Sequence, residues 1–355
     1  MVLDPSGLFV VMSADRRFML LLACALTAVL GLGAAIDRSS PKRPPEASAA
    51  PDAAGAPAPG LALVARPASL GPPPWPLEPL FATTLAERFP STAHALAPRR
   101  PLLPDSQIVS YYGSPYTPAM GLLGSGDPET VAALVERRAA VYDRLNGPIG
   151  VIPALHLVYA VAQPDPTDNG LYLQYADDDD VRRYVALTKE RGMLLFLDLQ
   201  IGRSSVDAEL QRVLPYLRQP NVHLALDPEF AVASTEVPGD SLGSLRSSDI
   251  DRAQRELQRL VDREHLPPKL LIVHQFIDSM VEDGETIQQY PDVELVIDMD
   301  GFGPAEIKKV KYERYASRSY ATHAAIKLFL EHDPDLMSEA DVLSLQPLPA
   351  VVIYQ

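Results

Sequence analysis

A chain of 355 residues, 47% hydrophobic and with Cys24 as its one cysteine, can bury a sizeable core; disulfides, thiol catalysis and cysteine metal sites are excluded after that position. Charge is uneven, with 9 Lys and Arg against 7 Asp and Glu in residues 1–100, and 22 against 39 in the remainder. So acidic a C-terminal part argues against nucleic acid and anionic lipid as partners and suits a neutral or cationic ligand.

Arg16-Arg17 precede Phe18–Ile36, a run of 19 residues without a charge. Basic residues before an apolar run form an export signal, with Met12 as an alternative start and Gly33-Ala34-Ala35 as a small-residue cleavage site. The run also has the length to span a bilayer uncleaved, and Cys24 after Leu21-Leu22-Ala23 imitates a lipidation site. Residues 1–36 are therefore expected to be a signal peptide or membrane anchor, giving an exported or envelope-associated protein that meets the membrane only there. Residues 37–100 form a Pro/Ala-rich linker, with 16 of the chain's 35 prolines between Pro41 and Pro104. Such a sequence stays extended and solvated and reads as a tether, with Trp75 and Leu85–Leu96 docking on the domain.

Residues 101–355 alternate between strand and helix patterns. Apolar runs predict strands over Ile108–Gly113, Pro153–Val161, Met193–Leu199, Val222–Asp227, Lys269–Gln275, Val293–Met299, Ile326–Glu331 and Ala350–Tyr354. Helical periodicity covers Pro128–Leu145, Asp178–Arg191, Ser205–Leu217, Ser248–His265 and Ser338–Leu345, and more weakly Met280–Gln289 and Gly303–Ser317. Asp127-Pro128, Ser248-Asp249 and Ser338-Glu339 have the form of helix caps. Eight strands with a helix in each gap predict an α/β fold, a (β/α)8 TIM barrel, acting as a monomer. An open doubly wound sheet is the alternative, disfavoured by the lack of a Gly-rich turn after the first strand.

Several strands turn acidic, amide or imidazole at their C-terminal ends, where a barrel collects its chemistry. The candidate catalytic residues are Glu229, Asp227, Asp298, Asp300, Asp198 and His274. Asp227 and Glu229 share one face of the segment VHLALDPEF. Carboxylates crowded in such a pit cannot all ionise, so one is expected to keep its proton and act as a general acid. Tyr111, Tyr112, Tyr159, Gln200, Gln275 and Tyr172 are candidate substrate contacts, with Tyr116, Tyr175, Glu331 and His332 near the same rim. Asp177–Asp180 reads as a helix N-terminus. Lys308–Tyr320 is a basic, aromatic stretch that suits either an anionic polymer or solvent.

Asp227-Pro228-Glu229 closing the fourth strand resembles the Asp-x-Glu of chitinase-like (family 18) barrels. The resemblance implies that Glu229 donates a proton and that Asp227 orients a substrate N-acetyl group. This chain departs from that pattern in having His223 and Ala225 where the family has two further aspartates. It also has Leu197-Asp198-Leu199 in place of Ser-Gly-Gly on the third strand. LALDPEF, IVHQF and IDMDGFGP likewise resemble stretches of exported bacterial glycosidase-like barrels.

The expected function is an exported glycoside hydrolase acting on an envelope or environmental polysaccharide, with no cofactor and no assigned metal. A non-catalytic glycan-binding barrel and a metal-dependent hydrolase using the same six acidic and imidazole residues are the alternatives. Oxygen ligands in that set favour Mg, Ca or Mn. No His-x-His or His-Glu-x-x-His supports zinc, no Gly-x-Ser-x-Gly supports a serine hydrolase, and Gly121–Gly126 lacks the Lys-Ser/Thr of a P-loop.

Overall fold

The computed structural model describes residues 100–355; the export, anchor, linker, Cys24 and Trp75 readings lie outside the described residues. Eight parallel strands close on themselves: β1 (Ser106–Gly113), β2 (Gly150–Ala162), β4 (Leu194–Gly202), β5 (Val222–Ala231), β7 (Lys269–Gln275), β9 (Val293–Met299), β10 (His323–Leu328) and β11 (Val351–Tyr354). Closure is made by β1, which pairs in parallel with both β2 and β11. Three shorter strands stand outside the ring. β3 (Leu173–Tyr175) runs antiparallel to the end of β2, and β6 (Leu245–Arg246) pairs with β8 (Val281–Glu282).

The near-continuous apolar runs follow from burial on both faces. Inward side chains fill the lower barrel, among them Ile108, Ile152, Phe196, Ile272, Val296 and Ile353, while Leu197, Leu199, Leu224 and Ile297 face the helices. The floor is closed by Leu102 and Leu103, whose amides donate to the Glu294 carboxylate at 3.1 and 3.0 Å.

Among the described residues six α-helices cover the barrel: α1 (Pro128–Leu145), α2 (Asp178–Arg191), α3 (Val206–Leu217), α4 (Ser247–Glu264), α5 (Ala305–Ala316) and α6 (Glu339–Leu343). Asp127 caps α1 through Thr130 N, and Asp177 caps α2 with Asp178, Asp179 and Asp180 in its first turn, as expected. Gly192 ends α2 in the left-handed conformation at φ 67°. Ser338 and Asp341 form the box that starts α6.

Three expectations need correction. Met280–Gln289 is not a helix: Asp283 adopts φ 54°, Gly284 packs on the Tyr320 ring, and the segment holds two 3-10 turns around β8. The gap between β7 and β9 thus has no α-helix. The α4 N-cap is Arg246 rather than Ser248, because the Asp249 carboxylate accepts from Arg246 N at 3.3 Å. The seventh barrel strand ends at Leu328, so Glu331 and His332 fall in the following turn.

Candidate active site

At the C-terminal end of the barrel, alternation directs His156 and Tyr112 inward beside Asp198 and Gln200 from β4, Asp227 from β5, His274 from β7, Asp298 from β9 with Asp300 just beyond its end, and Lys327 from β10. His274 is the hub. Its Nδ1 lies 2.8 Å from Asp298 Oδ2 and 3.3 Å from Asp300 Oδ2, and its Nε2 lies 3.4 Å from Asp198 Oδ2. His156 Nε2 is 3.7 Å from the same Asp198 oxygen. His156, Asp198, His274 and Asp298 have no solvent exposure. Lys327 Nζ donates to Asp300 Oδ2 at 3.1 Å and sits 3.7 Å above the Tyr112 ring.

Asp227 and Glu229 form the upper edge of this pit. Gln200 pairs with Asp227 and Gly202 with Ala231, so β5 carries two extra residues between those pairs, Pro228 lying within the bulge. Gln200 Nε2 donates to Asp227 Oδ2 at 3.3 Å, and the Glu229 amide donates to Asp227 Oδ1 at 3.1 Å. Asp227 is buried, whereas Glu229 keeps partial contact with solvent at the mouth. Gly243 supports the bulge from outside, donating its amide to Glu229 O at 2.7 Å.

The electrostatics divide the carboxyls. Burial raises Asp227 to about 7, reinforced by Asp198 and Asp300 against the pull of His274 and Lys327. Glu229 rises to about 8 through burial and through Asp227 and Asp300, which outweigh Lys327 and His274. Asp198 goes the other way: burial would raise it, but His274, His156 and Lys327 hold it down at about 2. Burial opposes the Lys327 charge, and four aspartates led by Asp300 overcome it. One face therefore contains protonated and ionised carboxyls side by side, the division that acid catalysis uses.

The pit brings together the six candidate catalytic residues with Tyr112 and Gln200. It does not include the other predicted substrate contacts. Tyr111 faces outward into the helix layer, edge-on to Tyr354 at 6.1 Å. A register shift between Val158 and Ala160 in β2 accompanies the placing of Tyr159 outside, against Tyr175 and Tyr216. Gln275 points away and accepts from the Tyr320 hydroxyl at 3.0 Å. Tyr172, at φ 59°, lies under the Arg203 guanidinium on the loop between β2 and β3. Nor is Lys308–Tyr320 a uniformly solvated patch. Lys308 is buried against Asp333 at 2.8 Å, Tyr312, Tyr315 and Tyr320 are buried, and Arg314 and Arg318 pair with Asp278.

Two pit residues were missed in the sequence, His156 and Lys327. Strand alternation alone identifies both: His156 shares a face with Ile152 and Ala154, and Lys327 with Ala325. Phe329 borders the pit, 5.2 Å from Lys327 Nζ, and meets Phe302 edge-on at 5.9 Å. Two recesses lie elsewhere, about 560 Å³ between α2 and α3 and about 240 Å³ beneath the barrel near Pro104 and Pro347. Neither contains the clustered carboxyls.

No protein-family model matches the chain, and no curated protein matches it. Among solved structures it is similar to a GH18 chitinase from Pseudoalteromonas aurantia, at 8% identity and a TM-score of 0.33, covering 70% of this chain and 93% of that one. It is also similar to the mannanase man26 of Bacillus subtilis, at 10% identity and a TM-score of 0.37, covering 71% and 80%. The barrel itself rests on the closed strand pairing; the class so defined is an α/β barrel with an acidic pit at its strand ends.

Proposed function

We propose that the protein is an exported glycoside hydrolase acting on an envelope or environmental polysaccharide, with Glu229 as general acid and Asp227 as its partner. The observation that carries this reading is the placement of both carboxyls at the β5 bulge, Asp227 at its start and Glu229 within it at the mouth, where burial pushes the Glu229 carboxyl up to about 8. Glu229 would transfer its proton to the glycosidic oxygen as the bond to the anomeric carbon breaks. Positive charge developing on the sugar ring would face the ionised Asp198 and the Asp300–Lys327 pair. Asp227, fixed by Gln200 and by the Glu229 amide, would orient water or a substrate acyl group. Phe302 and Phe329 offer ring faces for stacking. Export is supported by Arg16-Arg17 and the uncharged run Phe18–Ile36.

The test is release of reducing ends from a panel of wall and storage polysaccharides by wild type, Glu229→Gln and Asp227→Asn. Loss of a general acid is expected to lower turnover by about 10²–10⁴-fold in Glu229→Gln. Undiminished turnover in that variant would overturn the assignment. A second reading, a glycan-binding barrel without turnover, is favoured by His223 and Ala225 standing where the resembled family has two further aspartates. Retention of a glycan with no release from any substrate would establish it.

A further inference from the structure

The floor of the pit holds polar atoms that the protein itself leaves unsatisfied. Both ring nitrogens of His156, both carboxylate oxygens of Asp198, Nε2 of His274 and Oδ1 of Asp298 are buried without a hydrogen-bond partner. Leaving one such group unpaired typically costs about 1–3 kcal/mol, and more when it is charged. The six lie on adjoining residues, and their mutual contacts, from His274 Nε2 and His156 Nε2 to Asp198 Oδ2, are long at 3.4 and 3.7 Å.

We infer that His156, Asp198 and His274 bind one divalent transition-metal ion inside the barrel, with Asp298 orienting His274. The ligand atoms of the three residues lie within 4.8 Å of one another. Asp198 Oδ2 is 3.4 Å from His274 Nε2 and 3.7 Å from His156 Nε2. Metal–ligand bonds of roughly 2.0–2.2 Å at tetrahedral angles separate neighbouring donor atoms by about 3.4 Å, so these spacings fit a shared ion better than direct hydrogen bonds.

Tautomer choice agrees. His274 Nδ1 is 2.8 Å from Asp298 Oδ2, and an Nδ1–H donated there leaves the Nε2 lone pair facing Asp198. A carboxylate behind the far nitrogen of a liganding histidine is the usual second contact of metal sites. Two imidazoles and one carboxylate select Zn²⁺, Co²⁺, Fe²⁺ or Ni²⁺ over Ca²⁺ or Mg²⁺. The ion would cross-link β2, β4 and β7 below Asp227 and Glu229. The inference does not depend on the glycosidase reading.

The experiment uses the full chain, stripped with chelator during refolding and then titrated with Zn²⁺ or Co²⁺ alone. Expected are one equivalent bound per chain, a visible ligand-field band with Co²⁺, and a melting temperature several degrees higher with Zn²⁺. X-ray absorption at the zinc edge should show a first shell at about 2.0–2.1 Å with imidazole scattering. His156→Phe keeps the ring that stacks on Phe196 at 5.3 Å and should bind at least about 10-fold more weakly, as loss of one ligand requires. No stoichiometric binding by wild type, or binding that His156→Phe leaves unchanged, overturns the inference. If that variant does not fold, the wild-type spectrum decides, and a first shell without imidazole overturns it. Because the readouts are stoichiometry, spectrum and melting, an inactive protein that binds zinc still supports the site.

Discussion

Glu229 carries a cost that depends on pH. Its pKa rises from 4.5 to about 8 on folding, so between those values the folded chain holds more proton than the unfolded one. Its contribution to stability is complete below pH 4.5 and is lost as the pH rises through 8. Glu229→Gln cannot ionise and removes that slope. Urea denaturation should therefore show the variant gaining on wild type by about 1–3 kcal/mol between pH 5 and pH 9, a range reduced for the solvent that still reaches the group. A constant difference across that range would refute the buried proton. Buried Lys308 should behave differently. Lys308→Met strands the Asp333 carboxylate, and equilibrium denaturation should register a loss of about 3–5 kcal/mol. At this scale the acidic residues were legible because runs such as VELVIDMD change from apolar to charged at their ends. The tyrosines were not. Tyr111 and Tyr112 are adjacent and so cannot share a face, and only the pairing that buries Ile108 inward selects Tyr112.

The β5 bulge shows what pattern reading misses between residues. Alternation places Asp227 and Glu229 on one side, but the two extra residues opposite β4 lift Glu229 toward solvent while Asp227 stays buried. The bulge depends on close backbone approach at Gly243, where a Cβ would lie 2.5 Å from Ala231 N and O and 2.6 Å from Pro228 O. Gly243→Ala should cost about 1–3 kcal/mol by thermal denaturation and, under the glycosidase reading, lower kcat more than it alters KM. Wild-type stability in that variant would mean the loop yields freely. Elements buried on both faces were the most legible: β7 and β9 match their predicted ranges because each has an unbroken apolar centre, Leu270–Val273 and Leu295–Ile297, followed at once by His274 and Asp298. The segment after β7 failed for the opposite reason. Met280, Val281 and Ile287 suggest a helical face, but Asp283 and Gly284 turn the chain, and Val281 is taken up in the β6–β8 pairing opposite Leu245.

Across the whole molecule, the count of eight apolar runs made the barrel readable, while its closure depends on β1 bonding to β11, with Ile108 opposite Val351, a contact no local pattern contains. The floor depends equally on a distant contact. Leu103 is 2% exposed, and Leu103→Ala should lower stability by about 2–5 kcal/mol in chemical denaturation, with no change there if the floor were dispensable. Leu102 and Leu103 are clasped to Glu294 at the start of β9, whereas Glu229 stands at the far end of β5. The described chain thus enters at one pole, and the clustered carboxyls lie at the other. Tension arriving from the N-terminal side would load the Glu294 clasp rather than the carboxyl pair.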